Sequence, residues 1–130
     1  GMWMVHKPNR EMFYKQGLVI AAASGPVYRA ALREMKDSLD FWGAARTWKM
    51  GFALMEIRWD RLSPGLKKRI ARQAERTAAR LRRSAAVPGW KTRSLFYALR
   101  LVHKYVWPDT PDAAWWREQG WLDRGRPWRA

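Results

Sequence analysis

The residues of this chain best suited to bind a ligand form a short loop, Ala22-Ala23-Ser24-Gly25, which follows an apolar run and precedes Pro26. Small side chains leave the backbone of such a loop accessible, and glycine lets another molecule approach closely. A helix that begins just after the loop would direct unpaired N–H groups and its positive dipole end towards the same place. The loop is therefore expected to favour electron-rich atoms of a ligand, although the same pattern also forms plain strand-to-helix turns.

A basic segment between Ser63 and Ser84 is the second candidate for binding. The chain has 26 Lys and Arg residues against 11 Asp and Glu, a formal net charge of +15, and nearly half of the excess lies in this segment. Its cations are Lys67, Lys68, Arg69, Arg72, Arg76, Arg80, Arg82 and Arg83, and its one acidic residue is Glu75. Such a surface attracts phosphate backbones, anionic lipids or acidic proteins, whereas its plainer interpretation is a solvated helix face. No nucleic-acid-binding motif accompanies the charge, so nucleic acid is not an expected partner.

Several kinds of catalytic and metal site are disfavoured by composition. The chain contains no cysteine, which excludes disulfides, thiolate nucleophiles and cysteine-based metal sites. With only 2 histidines, a His-rich metal site is not expected either. Neither His6 nor His103 stands at a catalytic spacing from a nucleophile or a carboxylate, and we expect His103 to lie at the surface or in an interface. The sequence therefore predicts no catalytic residue and no metal ligand.

Tryptophan is concentrated near the C-terminal end of the chain. Of the 10 tryptophans, those beyond residue 106 are Trp107, Trp115, Trp116, Trp121 and Trp128. We expect these rings to pack a C-terminal extension onto the domain, although arginines interleaved with them also suit a peripheral contact with a membrane surface. No apolar stretch approaches the roughly 20 residues that span a bilayer. The first residues do not resemble a secretory signal, so a cytoplasmic location is expected.

The loop Ala22–Gly25 is expected to lie within a strand-helix-strand unit. Leu18–Ala23 is a short continuous apolar run, typical of a strand covered on both faces. Apolar residues then recur every three or four positions over Tyr28–Trp42, which predicts an amphipathic helix that ends at Gly43. Alternating residues over Thr47–Leu54 predict a second strand, suited to an edge. Two strands joined by a helix are typical of parallel pairing, so the predicted fold class is α/β.

Three further helices are predicted after this unit. Ser63-Pro64 places a capping hydroxyl before a proline, which opens a helix through the basic segment that is expected to end before Pro88-Gly89. The apolar stripe expected to be buried in this helix comprises Leu66, Ile70, Ala74, Ala78 and Leu81. Thr92 or Ser94 is expected to open a third helix, Leu95–Trp107, which is apolar over most of its circumference. A short fourth helix is expected to begin at Thr110-Pro111, where a capping hydroxyl again precedes a proline.

Several segments follow one another in a distinctive order. They are Phe13, Gly17–Gly25, Met35–Gly43 and Gly51–Leu54, then Trp59 before the basic helix, Phe96 and Arg100, and an ending of Trp116–Leu122 and Arg126-Pro127-Trp128. This order and spacing resemble the second half of the flavodoxin-like NAD(P)H-dependent FMN reductases, from Lys7 onward. We accordingly expect a partial flavodoxin-like βαβα unit over residues 1–90 and a helical, Trp-rich extension over residues 91–130.

The resemblance implies a five-stranded parallel sheet that binds FMN at the carboxyl ends of its strands and passes hydride from NADH or NADPH to an acceptor such as a quinone. It also implies that Ala22, Ala23, Ser24 and Gly25, which match the loop after the fourth strand of the family, contact the FMN. The family's phosphate-binding loop and the loop after its third strand have no counterpart in this sequence. We therefore expect the isolated chain to bind FMN weakly or not at all.

A strand without its usual neighbour presents an unpaired apolar edge, which soluble proteins pair or cover. Leu18–Ala23 is expected to be such a strand, because the resemblance places a missing strand beside it. The partner is expected to be a second copy of this chain, or a separate polypeptide that carries the front half of the sheet. For the isolated chain we expect a homodimer.

Three classes of function remain open from the sequence. The first is a flavin-dependent NAD(P)H oxidoreductase that needs a partner for its missing half. The second is a non-catalytic subunit whose strand-helix-strand unit mediates oligomerisation. The third is a basic module that binds an anionic membrane surface or nucleic acid, and such binding would weaken steeply with added salt.

Overall fold

The computed structural model describes residues 3–129 and shows an α/β architecture with two parallel strands and four α-helices. In chain order the elements are β1 (Gln16–Ala23), α1 (Tyr28–Phe41), β2 (Arg46–Ala53), α2 (Pro64–Arg83), α3 (Trp90–Leu101) and α4 (Pro111–Glu118). Short 3-10 turns cover Arg10–Tyr14 and Trp59–Arg61, and α3 is followed by a π-helical turn over Val102–Val106. The predicted α/β class is therefore confirmed at this level.

Contacts between residues divide the chain into two compact units. One, the aromatic unit, comprises the residues up to Gly17, Ser38–Arg46 and the residues from Ala86 onward. The other, the sheet unit, comprises Leu18–Asp37 and Thr47–Ala85. Because boundaries fall inside β1, α1 and β2, each of these elements contributes residues to both units.

β1 and β2 are hydrogen-bonded neighbours in a two-stranded parallel sheet. The N–H of Ala45 donates to the carbonyl of Lys15 at 2.9 Å just before the paired strands, and the N–H of Leu54 donates to the carbonyl of Ala23 at 2.9 Å just after them. The strand-helix-strand unit predicted from the apolar run and the alternating segment is thus confirmed. Its strand bounds differ from the predicted ones by one or two residues.

α1 ends in a glycine cap, as the sequence predicts. Gly43 has a φ of +90°, and its N–H donates to the carbonyl of Asp40 at 3.0 Å. The N–H of Ala44 reaches back to the carbonyl of Leu39 at 3.1 Å. These two bonds form a Schellman motif, which satisfies carbonyls that the helix itself leaves without donors. The chain is thereby turned out of α1 and into β2.

Two glycines let α1 pack closely on the strands. A Cβ added to Gly51 of β2 would collide with the side chains of Tyr28 and Leu32 of α1. A Cβ added to Gly17 of β1 would lie 2.6 Å from Cδ1 of Leu39, which is far closer than van der Waals contact. Glycine at these positions therefore provides the room that the facing side chains of α1 occupy.

α2 begins and ends where the sequence predicts a helix. The hydroxyl of Ser63 accepts a hydrogen bond from the N–H of Leu66 at 3.2 Å, and Pro64 occupies the first turn. The buried hydroxyl of Thr77 donates to the carbonyl of Gln73 at 2.8 Å, so this polar group is satisfied within the helix. The predicted apolar stripe is partly buried at each of its positions, namely Leu66, Ile70, Ala74, Ala78 and Leu81.

α3 begins earlier than predicted. The expectation that Thr92 or Ser94 caps this helix is wrong, because α3 starts at Trp90 and its N-cap is Gly89. The buried hydroxyl of Thr92 instead donates to the carbonyl of Ala44 at 2.9 Å. A capping preference is a local property, whereas this hydrogen bond joins residues that are distant in the sequence. The local pattern therefore pointed to the wrong role for this hydroxyl.

The core of the aromatic unit is built from ring side chains. Its buried members are Met4, Phe13, Phe96, Trp116, Trp121 and Leu122, and Leu95, Tyr97, Leu99, Trp115 and Trp128 pack against them. Phe96 stacks on Trp116 with ring centroids 4.9 Å apart, and Phe13 meets Phe96 edge-on at 6.0 Å. The expected packing role of the C-terminal tryptophans is confirmed for all but Trp107, which is half-exposed.

His103 is buried in the aromatic unit, so the expectation that it lies at the surface or in an interface is wrong. Its Nε2–H donates to the carbonyl of Val5 at 2.8 Å, and its ring lies against Trp116 with centroids 4.8 Å apart. Nδ1 is buried and forms no hydrogen bond with any residue that the structure describes. Burial lowers the pKa of His103 below its ordinary value of 6.5, although the bond to Val5 opposes this shift. His103 is therefore a neutral imidazole of the core.

Candidate functional site

A cavity of about 430 Å³ lies at the carboxyl ends of β1 and β2 in the sheet unit. It is lined by Ala22, Ala23 and Ser24 from the first strand and its loop, and by Leu54, Met55, Glu56 and Ile57 from the segment after the second strand. Pockets that hold small molecules have volumes of roughly 300–1,000 Å³. The structure therefore brings three of the four predicted ligand-binding residues to a cavity of suitable size.

Parallel pairing explains why the two loops meet. The hydrogen bond between Leu54 and Ala23 continues the ladder beyond the last residues of β2, so both strands finish at the same end of the sheet. The segment Met55–Ile57 was not among the residues predicted to bind a ligand. The signal that would have found it is the end of the alternating strand, since neighbouring parallel strands present their following loops together.

Gly25, the fourth predicted residue, lies in the same loop but is not among the residues that line the cavity. Its φ is +87°, a conformation that glycine adopts freely, and no atom beyond its immediate neighbours lies within 4 Å of where a Cβ would be. It therefore determines the direction of the loop. Pro26 follows in a turn in which its carbonyl accepts from the N–H of Arg29 at 3.1 Å, so α1 begins at Tyr28 rather than at the predicted proline.

The backbone of this loop offers free donors. Among residues 3–129, the N–H groups of Ser24 and Gly25 make no hydrogen bond. Both residues are at least partly accessible to solvent. An electron-rich group in the cavity could accept hydrogen bonds from these amides without first breaking an internal bond.

Among the described residues, Glu56 is the only ionisable side chain that lines this cavity. Its Oε1 accepts a hydrogen bond from the N–H of Arg58 at 3.0 Å, which makes it part of its own loop. The cavity thus combines small and apolar side chains with backbone donors. In the described part of the chain, no group of three or more His, Asp or Glu side chains is placed to hold a metal ion. None of the helices between residues 3 and 129 has both the length and the apolar character to cross a bilayer.

One edge of β1 is unpaired within the chain. Main-chain groups of alternate residues point to opposite edges of a strand, and the carbonyl of Ala23 points to β2. The groups of Leu18, Ile20 and Ala22 therefore point the other way, and no third strand occurs among the described residues. We call this row the free edge of β1. The side chain of Ile20 is 53% exposed, which is unusual for a strand of such apolar sequence.

The cations of α2 are solvent-exposed, apart from the partly buried Lys67. At 100° per residue, six of them fall within an arc of roughly 120°. These six are Lys68, Arg69, Arg72, Arg76, Arg80 and Arg83. No carboxylate of the described chain lies within 4.0 Å of any of them. We call this surface the cationic stripe.

His6 is joined to α4 by two hydrogen bonds. Nδ1 of His6 donates to Oδ2 of Asp112 at 2.8 Å, and the carbonyl of His6 accepts from Nε1 of Trp116 at 2.8 Å. The sequence places no carboxylate at a catalytic spacing from His6, and the tertiary fold brings Asp112 to it. No hydroxyl nucleophile is bonded to its imidazole. The pair acts as a tether between the N-terminal residues and α4.

Comparisons with known proteins do not assign a family to the chain. Searches of family models, of curated proteins and of solved structures found no match. The resemblance to the flavodoxin-like FMN reductases therefore rests on the order of residues quoted above.

Proposed function

We propose that this chain is a flavin-binding module of a flavodoxin-like NAD(P)H-dependent oxidoreductase, which completes its sheet and its FMN site by pairing along the free edge of β1. The observation that carries the proposal is that Ala22 and Ala23 belong to β1 and also line the cavity. Ligands of parallel sheets bind outside the carboxyl ends of the strands. A strand added parallel to β1 along its free edge would bring its own loop to the same cavity.

The residues of the cavity suit the edge of a flavin ring. The N–H groups of Ser24 and Gly25 are free to donate to its carbonyl oxygens and ring nitrogens, and the alanines allow a close approach. The exposed side chains of Met55 and Ile57 offer apolar surface to the ring itself. No cationic side chain between residues 3 and 129 lines the cavity, so the proposal assigns the phosphate group of FMN to the added chain.

When bound, FMN would supply the redox chemistry, taking hydride from a nicotinamide cofactor and reducing an acceptor such as a quinone. This chain would orient one edge of the ring and exclude water from it. The carboxylate of Glu56 is engaged by the backbone of Arg58, and we assign no proton transfer to it. Catalysis in this proposal requires the companion strand, which is supplied by a second copy of the chain.

The proposal is tested by titrating FMN with the purified chain and following the flavin fluorescence. We expect binding that strengthens as the chain concentration rises, because assembly completes the site. Ser24→Leu places a bulky side chain in the cavity without changing β1, and it should weaken binding by at least about tenfold. Ser94→Leu is the matched control, since Ser94 is an exposed residue of α3 and should leave binding unchanged.

Absence of FMN binding at every chain concentration would contradict the flavin part of the proposal, as would equal binding by Ser24→Leu and the wild type. If such a chain still assembled with rising concentration, the second candidate function would stand. That candidate is a non-catalytic subunit whose role is assembly. It is favoured by the free edge of β1, which exists independently of any cofactor.

A further inference from the structure

We propose that α2 and the loop before it form a docking surface for an anionic lipid bilayer. The loop carries Met55, Ile57 and Trp59, which are 86%, 101% and 58% exposed. It leads directly into the cationic stripe of α2. Met55 and Ile57 also line the cavity, but the docking proposal concerns their solvent-exposed surface and does not require a bound flavin.

The cationic stripe is unfavourable for the isolated helix. Lys68, Arg72, Arg76 and Arg80 follow one another at intervals of four residues, which places like charges side by side along one row. No carboxylate of the described chain neutralises them, and Glu75 lies at the flank of the stripe. An anionic surface would remove this repulsion. A straight stripe of roughly 22 Å also matches a flat array of headgroups, which every cation can reach at once.

The exposed apolar side chains favour a bilayer over nucleic acid. Met55 and Ile57 have no hydrogen-bonding groups with which to contact phosphates or base edges. In a membrane interface, by contrast, such side chains gain free energy by leaving water for the acyl boundary. The cationic stripe would then contact the headgroups around them. Cations beside an inserted apolar segment are the combination on which interfacial binding depends.

Trp59 connects the apolar loop to the helix. Nζ of Lys67, in the first turn of α2, lies 5.7 Å from the centroid of the Trp59 ring. This cation–π contact holds the ring beside the start of the helix. Tryptophan prefers the headgroup level of a membrane, where its apolar body and its polar N–H are both satisfied. Lys67 lies about 100° around the helix axis from Lys68, outside the cationic stripe, so the contact places the ring at the N-terminal end of α2 and not on the face that carries the stripe.

The test is co-sedimentation of the full chain with vesicles of phosphatidylglycerol and phosphatidylcholine, compared with vesicles of phosphatidylcholine alone. We expect binding to the anionic vesicles that weakens as salt is added. The triple variant R72Q/R76Q/R80Q should bind about 100-fold more weakly, since each cation near an anionic surface contributes roughly a factor of five. The control K7Q/R46Q/R124Q has the same net charge and replaces exposed cations outside α2, and it should bind like the wild type.

A further variant separates insertion from charge. M55S/I57S keeps every cation and should weaken vesicle binding about tenfold or more, while leaving the binding of a duplex RNA probe unchanged. The proposal is overturned if the chain does not sediment with anionic vesicles, or if the two charge variants lose binding equally. It is also overturned if M55S/I57S binds vesicles like the wild type, because the surface would then be a general polyanion site. FMN plays no part in these measurements, so their failure leaves the flavin proposal unaffected.

Discussion

The N–H of Leu54 donates a 2.9 Å hydrogen bond to the carbonyl of Ala23, one residue beyond the end of β2. This bond sets the register in which both strands finish at the same end of the sheet. It places the loop after β1 beside the loop after β2, which creates the cavity. It also directs the main-chain groups of Ile20 and Ala22 away from β2, which creates the free edge. The candidate site and the candidate assembly surface thus follow from one register.

The contact between Gly51 and α1 predicts a large effect of adding one methyl group. Gly51→Ala would drive a Cβ into the side chains of Tyr28 and Leu32, and we expect a loss of about 1–3 kcal/mol in the free energy of unfolding. Urea denaturation followed by circular dichroism measures it. Ala53→Ser, on an exposed residue of the same strand, is the control and should change stability by less than about 0.5 kcal/mol. Wild-type stability of Gly51→Ala would show that α1 does not pack on β2 as described.

Replacing glycine by alanine is predicted to have opposite effects on stability in the Ala22–Gly25 loop and in the first turn of α2. Gly25→Ala should destabilise the chain by about 1–2 kcal/mol, because its φ of +87° is unfavourable for a residue with a Cβ. Gly65→Ala, in the first turn of α2, should stabilise it by about 0.4–1 kcal/mol, because nothing lies near the added methyl group. Thermal and urea denaturation of both variants measures the sign of each change in the free energy of unfolding. Stabilisation by Gly25→Ala would contradict the loop conformation.

The burial of His103 predicts that stability falls in mild acid. Because its folded-state pKa lies below the ordinary 6.5, the unfolded chain binds the proton more readily. Its contribution to stability is therefore full above about pH 6.5 and is lost as the pH falls through the lowered folded-state pKa. The free energy of unfolding, measured by denaturation at several values between pH 8 and pH 5, should fall as the pH falls. This dependence defines a slope against pH. H103L, which cannot titrate, should show a smaller slope, and an identical slope would contradict the assignment.

The aromatic core predicts that two tryptophans differ sharply in importance. Trp116 is fully buried, stacks on Phe96 and donates its Nε1–H to the carbonyl of His6, whereas Trp90 is 80% exposed. Trp116→Ala should cost about 3–5 kcal/mol or prevent folding, and Trp90→Ala should cost less than about 0.5 kcal/mol. Should Trp116→Ala fail to fold, Trp116→Phe keeps most of the ring and should still lose about 1–3 kcal/mol. Equal stability of Trp116→Phe and the wild type would contradict this packing.

The two strands, α1 and α2 could be predicted because their signals are local. Apolar periodicity, Ser63-Pro64 and Gly43 each act within a few residues, and each marked a helix or its end correctly. The roles of Thr92 and His103 could not be predicted, because their partners are Ala44 and Val5, far away in the sequence. Pairings of this kind depend on the tertiary fold rather than on local pattern.

The candidate site was predictable only in part for the same reason. Ala22–Gly25 is recognisable as a short loop of small residues between a strand and a helix. That Met55–Ile57 joins it depends on the pairing of β1 with β2, which brings together loops about 30 residues apart. The cationic stripe was visible in the sequence, but the exposed apolar loop before it was not, since hydropathy alone does not distinguish buried Met50 from exposed Met55.

The assembly proposal also predicts the effect of removing one donor from the free edge. Ile20→Pro lacks the N–H that points away from β2, and it should reduce self-association by at least about tenfold in sedimentation velocity experiments. Ile20→Thr is the control, because it keeps this N–H and a β-branched side chain, and it should associate more strongly than the proline variant. If the two variants associated equally, the free edge would not be the contact surface.

The most direct measurement of the central claim is amide hydrogen exchange along β1 at low and high chain concentration. The amides of Val19 and Ala21 point to β2 and should be protected at both concentrations, which provides an internal reference within the strand. The account predicts that the amides of Ile20 and Ala22 exchange rapidly in the dilute chain and become protected as its concentration rises. Rapid exchange of these two amides at every concentration would contradict the claim that the free edge of β1 is an assembly surface.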